Sequence, residues 1–592
     1  MNTAIKISLV VITTCLSIAC VKAEDTLNAN PFSGFSLSAS SNGEVALSQE
    51  KASEKVLELK WGGVADSPST KYRLEIVPSD GKAAGWSETL LGDVTSRTFT
   101  CRELNNIIID KCGKRKAEPA ELKIRLTVTS AVHWKLRTAK DSVLVKCRSY
   151  IPVYPEHSHK APLYWSPYEY NFVKNTSIPE DEWKKNIDWV HDNLLSYGYT
   201  MVSTDGWMDE NNAYNKDGYL DRHSLSWEHD YGWWADYLAE RGMTLGVYCN
   251  PLWVPAGAAA AGIKIKGTDI PIENLIDRNE ENGGYHHYLW AQLDRPGAEE
   301  WVRGYVDHFG EMGVKFLRVD FLSWYEDGYD IGFGTVGPKR PEWMYPTALR
   351  WMREECDRYG MILSLVMPHL YNDAATEKNY GHMIRIDNDT AEGGWYHFSE
   401  VERGKHRKGW SQYSNAFDGF IYFSRVAGRG KVMLDGDFIR LNTMASEDEC
   451  KSIISLNVIA GGPVTVSDRY DSIGKRLKFY QNRDILALVK DGFVGKPLSN
   501  TPPQNSVEYA EDNDRSQIWT GDMSNGDKII AIFHRPWEGN APKTFRIVPA
   551  DYGISGDYMV RDLWENRNLP HKDVYEVTIP ARGCVVYRIS KK

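Results

Sequence analysis

The chain has 592 residues, of which 42% are hydrophobic and 25% charged, and its net charge is −10. That length is too great for one hydrophobic core and predicts three or four domains. The acidic balance argues against a nucleic-acid binder, which needs a basic face to neutralise phosphates. Aromatic residues make up 12% of the chain, with 21 Trp and 32 Tyr. Such an excess serves either large cores or the stacking of rings on pyranose C–H faces, and position decides between the two.

At the N-terminus, Lys6 precedes a largely apolar run from Ile7 to Ala19. The run is too short to span a bilayer as a stable helix and reads as the core of a signal peptide over residues 1–23. Two processing readings stand side by side. Val21-Lys22-Ala23 offers small residues at the spacing for cleavage before Glu24. Ser17-Ile18-Ala19-Cys20 has the form of a bacterial lipobox that would lipidate Cys20, with Ser17 where Leu is usual. Either predicts export to the periplasm, the outer membrane or the cell surface. No other segment reads as transmembrane. Cys101, Cys112, Cys147, Cys249, Cys356, Cys450 and Cys584 follow the signal. Their odd number and scattered spacing fit neither a disulfide scaffold nor a zinc site. Cys101 and Cys112 either pair in an oxidising compartment or stay as half-buried thiols.

Residues 24–155 read as all-β. Val56–Trp61, Tyr72–Val77 and Leu122–Val128 alternate apolar and polar side chains, and Gly, Pro, Ser and Asp separate them. Short strands in that arrangement predict an immunoglobulin- or fibronectin-like β-sandwich. With the run Thr98–Asn105, this region resembles the N-terminal domain of the starch-binding outer-membrane lipoproteins of gut bacteria. The resemblance implies an outer-membrane glycan-uptake machinery as a partner. Pro152–Ser158 reads as a linker.

From 160 to 482 the pattern becomes βα, which predicts a parallel sheet. The expected strands are Pro162–Ser166, Thr200–Thr204, Thr244–Cys249, Val314–Asp320, Ile362–Met367, Met383–Ile386, Lys431–Leu434 and Ile453–Ile459. Between them lie helical stretches at Glu180–Leu195, Trp233–Arg241, Glu299–Met312 and Tyr345–Tyr359. Eight such units predict a (β/α)8 TIM barrel, with an insertion over Ala256–Gly284 after the third strand. Residues 485–592 return to β texture and predict a C-terminal antiparallel sandwich.

Chemistry in such a barrel sits at the C-terminal strand ends. The fourth expected strand ends Arg318-Val319-Asp320, and the sixth ends Arg385-Ile386-Asp387-Asn388-Asp389. The second runs into Thr204-Asp205-Gly206-Trp207, and the first ends at Trp165-Ser166. Carboxylates at facing strand ends, with aromatics beside them, suit glycoside cleavage. One carboxylate attacks the anomeric carbon and the other protonates the leaving oxygen, with about 5–5.5 Å between them in retaining enzymes. An Asp beside a guanidinium stays ionised as nucleophile, while a more apolar site keeps its partner protonated. Each residue also has an ordinary role open to it: Asp320 capping a loop, Arg318 and Arg385 as ion-pair partners, Trp207 as packing. At the sixth strand end, Asp387 and Asp389 are both candidates for the acid. His223, His229, His286 and His287 show no metal-ligand spacing, so neither a metal nor a cofactor is expected.

Taken together, these strand ends resemble glycoside hydrolase clan D, families 27 and 36, the α-galactosidase group, over 160–592. The clan's Lys-x-Asp on strand four matches Arg318-Val319-Asp320, which implies Asp320 as nucleophile. Its Arg-x-x-x-Asp on strand six matches Arg385 to Asp389, which implies Asp389 as acid/base and selects it over Asp387. Gly198-Tyr199-Thr200-Met201 leads to Thr204-Asp205-Gly206-Trp207 where the clan has an Asp pair. Trp165 matches a Trp that lines the clan's sugar subsite, and Asn457–Pro463 matches its strand-eight segment. The resemblance implies a retaining, exo-acting hydrolase of α-D-galactoside-like glycosides. Asp205, Trp165, Trp207, Arg318 and Arg385 would shape the subsite. Two departures bear on specificity. Thr204 replaces a carboxylate that binds O4 and O6 of galactose, a charged hydrogen bond worth about 1.5–3 kcal/mol. Arg318 replaces Lys with a bulkier fork. A clan relative lacking the first Asp favours β-L-arabinopyranose, so a β-L-arabinopyranosidase is the neighbouring reading. A non-catalytic glycan-binding surface protein is the reading from another class.

Overall fold

The computed structural model describes residues 32–592 apart from 42, 63–69, 82–84, 93, 116, 133–134, 281–288, 331, 391, 499–516 and 537–538. The expected signal segment, Cys20, His286 and His287 lie outside the described residues. The chain divides into two compact units, Met1–Pro152 and Val153–Lys592.

The first unit is built from two sheets. Ser36–Ala39, Lys55–Gly62 and Ser96–Thr100 form one. Glu44–Ala46, Lys135–Arg148, Pro119–Val132, Lys71–Pro78 and Trp86–Leu91, in that spatial order, form the other. Strict alternation sends one set of side chains inward: Tyr72, Leu74 and Ile76 are buried while Lys71, Arg73 and Glu75 are not. Leu57, Leu59, Phe99, Leu122, Ile124 and Leu126 join them in one shared core. Cys101 and Cys112 are buried free thiols, not a pair. The Cys101 sulfur sits 3.2 Å from the Ser48 carbonyl and the Cys112 sulfur 3.7 Å from that of Ile76.

The second unit holds eight parallel strands: β1 (Leu163–Trp165), β2 (Met201–Ser203), β3 (Thr244–Tyr248), β4 (Phe316–Val319), β5 (Ile362–Leu365), β6 (Met383–Arg385), β7 (Met433–Asp435) and β8 (Val464–Val466). They pair in the order β8-β1-β2-β3-β4-β5-β6-β7, and a parallel bridge from Ile439 to Val466 spans the remaining gap. Tyr164, Met201, Phe316, Met383 and Met433 fill the interior, most of them at strand starts. The open end is therefore the C-terminal one, as in barrels whose interior is packed side chains.

One expected strand is a helix. Ile453–Ile459 belongs to Glu447–Ile459, which opens on a capping box between Ser446 and Glu449. Ser452 to Ile459 are all buried. A helix buried all round has no polar stripe, so its apolar run reads like an inner strand. The eighth strand follows it, just after Pro463.

The C-terminal residues form a six-stranded antiparallel sheet and the two-stranded pair Lys543–Ile547 with Tyr575–Ile579. Strand Lys528–Phe533 shows how they sit. Ile530 and Ile532 enter a core with Ile547, Tyr575 and Ile579 between the sheets. Ile529, Ala531 and Phe533 join the barrel's own core. Beyond that strand Arg535, 1% exposed, reaches Asp418 at 2.6 Å and Ser399 Oγ at 2.7 Å.

Candidate active site

Asp320 follows β4, and the chain turns sharply there. Phe321 is left-handed, with φ 59°, a costly conformation for a bulky residue. The turn brings the Phe321 N–H back to donate to Asp320 Oδ1 at 2.7 Å. From β3, the Tyr248 hydroxyl donates to Oδ2 at 2.8 Å. Asn250 Nδ2 fixes the Asp320 main-chain carbonyl at 2.7 Å. Both carboxylate oxygens are thus oriented. Burial pushes this carboxyl up to about 6, against the pull of Arg318 and these hydrogen bonds.

At the end of β6, Arg385 is 1% exposed and holds three carboxylates. Its Nη2 lies 3.1 Å from Asp389 and 2.8 Å from Asp437, and its Nε lies 3.3 Å from Asp387. Asp387 is fully buried and its Oδ2 has no hydrogen-bond partner. Burial holds its carboxyl well above the ordinary range. Asp389, by contrast, keeps 57% of its side chain exposed. The protein around it still desolvates the charge and raises its carboxyl, with Arg385 opposing.

Arg318 is 2% exposed, and its charge favours the ionised form of Asp320. It contacts Asp205 at 3.5 Å, Asp435 at 3.1 Å and Asp437 at 3.4 Å, and its guanidinium lies 4.7 Å from the Phe438 ring centroid. Arg385 thus contacts Asp389 directly, while Arg318 acts on Asp320 through its charge. Asp205 also receives the Ser166 hydroxyl at 3.3 Å, and burial lifts it to about 7. Thr204 Oγ1 is occupied by the Tyr248 N–H at 3.0 Å.

Asp435 and Asp437 were not anticipated. They end β7, and Asp437 also accepts the N–H and hydroxyl of Thr390 at 2.8 and 3.0 Å. The same strand-end rule that finds Asp320 finds them, since they directly follow the expected strand Lys431–Leu434. Five carboxyl groups thus share two guanidinium groups, and Asp320 also feels the Arg318 charge. In a low-dielectric site such an excess of like charge retains protons. Burial raises Asp435 as it does Asp205, Asp320, Asp387 and Asp389.

The aromatic residues divide. Trp207 is 41% exposed, left-handed at φ 60°, and two residues beyond Asp205 in the chain. Tyr168 packs edge-on to it at 6.0 Å and stacks on Phe438 at 4.4 Å. Burial and the charges of Asp389, Asp437 and Asp205 hold the Tyr168 hydroxyl high. Trp165 does not join them. It is fully buried, 5.7 Å from the Trp183 ring, with Nε1 donating to the Asp468 carbonyl. Tyr164 takes the interior, and period-two alternation turns Trp165 into the helix layer.

At the opposite end of the barrel, donor atoms of His159, Asp357 and His382 lie within 4.8 Å of one another. His382 Nδ1 accepts the Leu363 N–H at 2.8 Å, so its proton resides on Nε2, 3.0 Å from Asp357. A histidine ligand normally donates from its second nitrogen, and Arg353 already contacts Asp357 at 2.9 Å. The cluster is a poor metal cradle.

A family model described as alpha galactosidase C-terminal beta sandwich domain matches residues 513–589, and one described as SusE outer membrane protein matches 22–127. Isomalto-dextranase of Arthrobacter globiformis is 38% identical over 439 residues, 73% of this chain and 68% of that protein. The structure of the Arthrobacter globiformis T6 isomalto-dextranase complexed with panose aligns with TM-score 0.68 and 35% identity, covering 75% of this chain and 76% of that one. A family 27 β-L-arabinopyranosidase from Geobacillus stearothermophilus gives 0.54 at 17% identity, over 73% and 96% of the two chains, and shares the fold.

Proposed function

Since the chain belongs to the clan D glycoside hydrolases, the α-galactosidase-like group, we propose that it is a retaining, exo-acting hydrolase of α-glucans of the dextran kind. The observation that carries this reading is the 38% identity to isomalto-dextranase over 439 residues. The strand-two chemistry supports it. Galactose-specific relatives offer two free carboxylates there; here Thr204 is spent on a backbone N–H and Asp205 on Arg318 and Ser166.

In this mechanism Asp320 attacks the anomeric carbon and forms a covalent glycosyl-enzyme, while Asp389 protonates the departing oxygen. Asp389 then takes a proton from water, which releases the sugar with its configuration retained. Tyr248 and the Phe321 N–H aim the nucleophile. Arg385 restrains Asp389, Arg318 braces Asp205, and Trp207 offers a face to the sugar. The SusE match supports an envelope location and a partner in outer-membrane glycan uptake.

The test is hydrolysis of dextran and isomalto-oligosaccharides beside p-nitrophenyl α-galactoside and β-L-arabinopyranoside, with anomers followed by NMR. Release of an α-configured short isomalto-saccharide, abolished in Asp320→Asn, is the expected result. Turnover of the galactoside or arabinopyranoside alone would replace the glucan reading with the specificity expected from the sequence. Binding without turnover would return the protein to the glycan-binding class.

A further inference from the structure

The N-terminal end of the barrel, opposite the catalytic carboxylates, opens into a cavity of about 800 Å³. Ligand pockets run from about 300 to 1,000 Å³. Its floor is apolar, with Leu163, Ile362 and Leu486. Its rim carries Lys160, Lys315, Arg483 and Lys490, and its lining contains no Asp or Glu.

Their partners are neutral. Lys160 Nζ donates to the Lys490 carbonyl at 2.6 Å, Lys315 Nζ to that of Tyr359 at 2.9 Å, and Arg483 Nη1 to that of Ser196 at 3.0 Å. Among the described residues none of the four cations forms an ion pair. The chain as a whole has 80 acidic residues against 70 Lys and Arg, so an acid-free cationic rim runs against its composition. An adjoining cavity of about 270 Å³ shares Lys160 and adds Arg429 and Lys431; its Asp491 is already taken by Arg429 at 2.8 Å. Like charges gathered over a low-dielectric floor repel one another and attract an anion.

We propose that this end of the barrel binds an anionic lipid, with its phosphate head on the cationic rim and its acyl carbons on the apolar floor. The apolar floor favours a lipid over a free phosphate, which has nothing to place there. The site lies at the far end of the barrel from Asp320, so occupancy and glycoside hydrolysis are separable.

The experiment is calorimetric titration of the full chain with soluble dihexanoyl-phosphatidylglycerol, dihexanoyl-phosphatidylcholine and inorganic phosphate. Saturable binding of the phosphatidylglycerol, at least about tenfold tighter than either other probe, is expected. Lys490→Glu and Arg483→Glu should each weaken it by about tenfold or more, with glycoside turnover and melting temperature unchanged. Equal binding of phosphatidylcholine, binding of phosphate as tight as the lipid, no saturable binding, or full binding in both variants would each overturn the proposal. Lys490→Gln, which removes the charge without reversing it, separates loss of attraction from local unfolding.

Discussion

Asp437 bridges the two buried arginines of the site, lying 2.8 Å from Arg385 and 3.4 Å from Arg318. It is itself left-handed, with φ 66°. Because it also holds Thr390, it ties β4, β6 and β7 into one charged lattice. Removing it takes one contact from each buried guanidinium group and leaves the buried Thr390 N–H without its acceptor. Leaving a buried polar group unsatisfied costs about 1–3 kcal/mol, more where a charge is involved. Asp437→Ala is expected to lower the denaturation midpoint by an amount of that order and to reduce turnover, measured by chemical unfolding and initial rates.

Asp389 should matter in proportion to how much the leaving group needs a proton. General acids contribute about 10²- to 10⁴-fold. Asp389→Ala should lose that much on an oligosaccharide and much less on a p-nitrophenyl glycoside, whose phenolate leaves unaided. Equal losses on both substrates would remove Asp389 from the acid role.

The proposed nucleophile would set an acid limb. In that role Asp320 attacks only when ionised, and burial lifts it to about 6. As pH falls through that value the carboxyl takes up a proton and kcat/KM should fall. Tyr248 stabilises the charged form through its hydrogen bond, so Tyr248→Phe should move the limb to higher pH. The pH profile of kcat/KM for both proteins checks this.

Histidines at the other end of the barrel add an acid-sensitive contribution to stability. Burial lowers His157 to about 4 and His382 to about 3. The unfolded chain binds these protons near the ordinary histidine value of about 6.5. Between about 6.5 and 4 these two histidines make the unfolded state hold more protons, a contribution that lowers stability as pH falls, while the raised carboxyls of Asp205 and Asp320 act in the opposite sense. Relative to the parent, His157→Gln should therefore gain urea midpoint as pH falls across that range.

Two tryptophans should behave oppositely. Trp165 is fully buried, and truncating such a side chain costs about 3–5 kcal/mol. Trp165→Ala should destabilise the fold. Trp207 is 41% exposed, so Trp207→Ala should raise KM with little change in melting temperature.

Much of this was legible from periodicity. Seven of the eight barrel strands overlap expected segments, six of them wholly, and Asp205, Trp207, Arg318, Asp320, Arg385 and Asp389 gather at one end. What escaped has physical causes. Ile453–Ile459 is apolar on every face, so it carries no period to identify a helix. Trp165 and Tyr164 are both fully buried, and composition does not say which of two adjacent strand residues faces inward. Arg318 and Arg385 each chose carboxylates from β7, a partnership that crosses the sheet and leaves no local trace in the chain.

Arg535 gives the C-terminal sheet a hand in chemistry it never touches. By clamping Asp418 and Ser399, and with Arg582 3.3 Å from Glu400, that sheet pins the far end of the loop that begins at Asp389. The sheet is thus no detachable cassette. A chimera that joined this barrel to another enzyme's tail would inherit Asp320 in register but leave Asp389, the proposed proton donor, slack, and the splice would be felt in turnover before it was felt in folding.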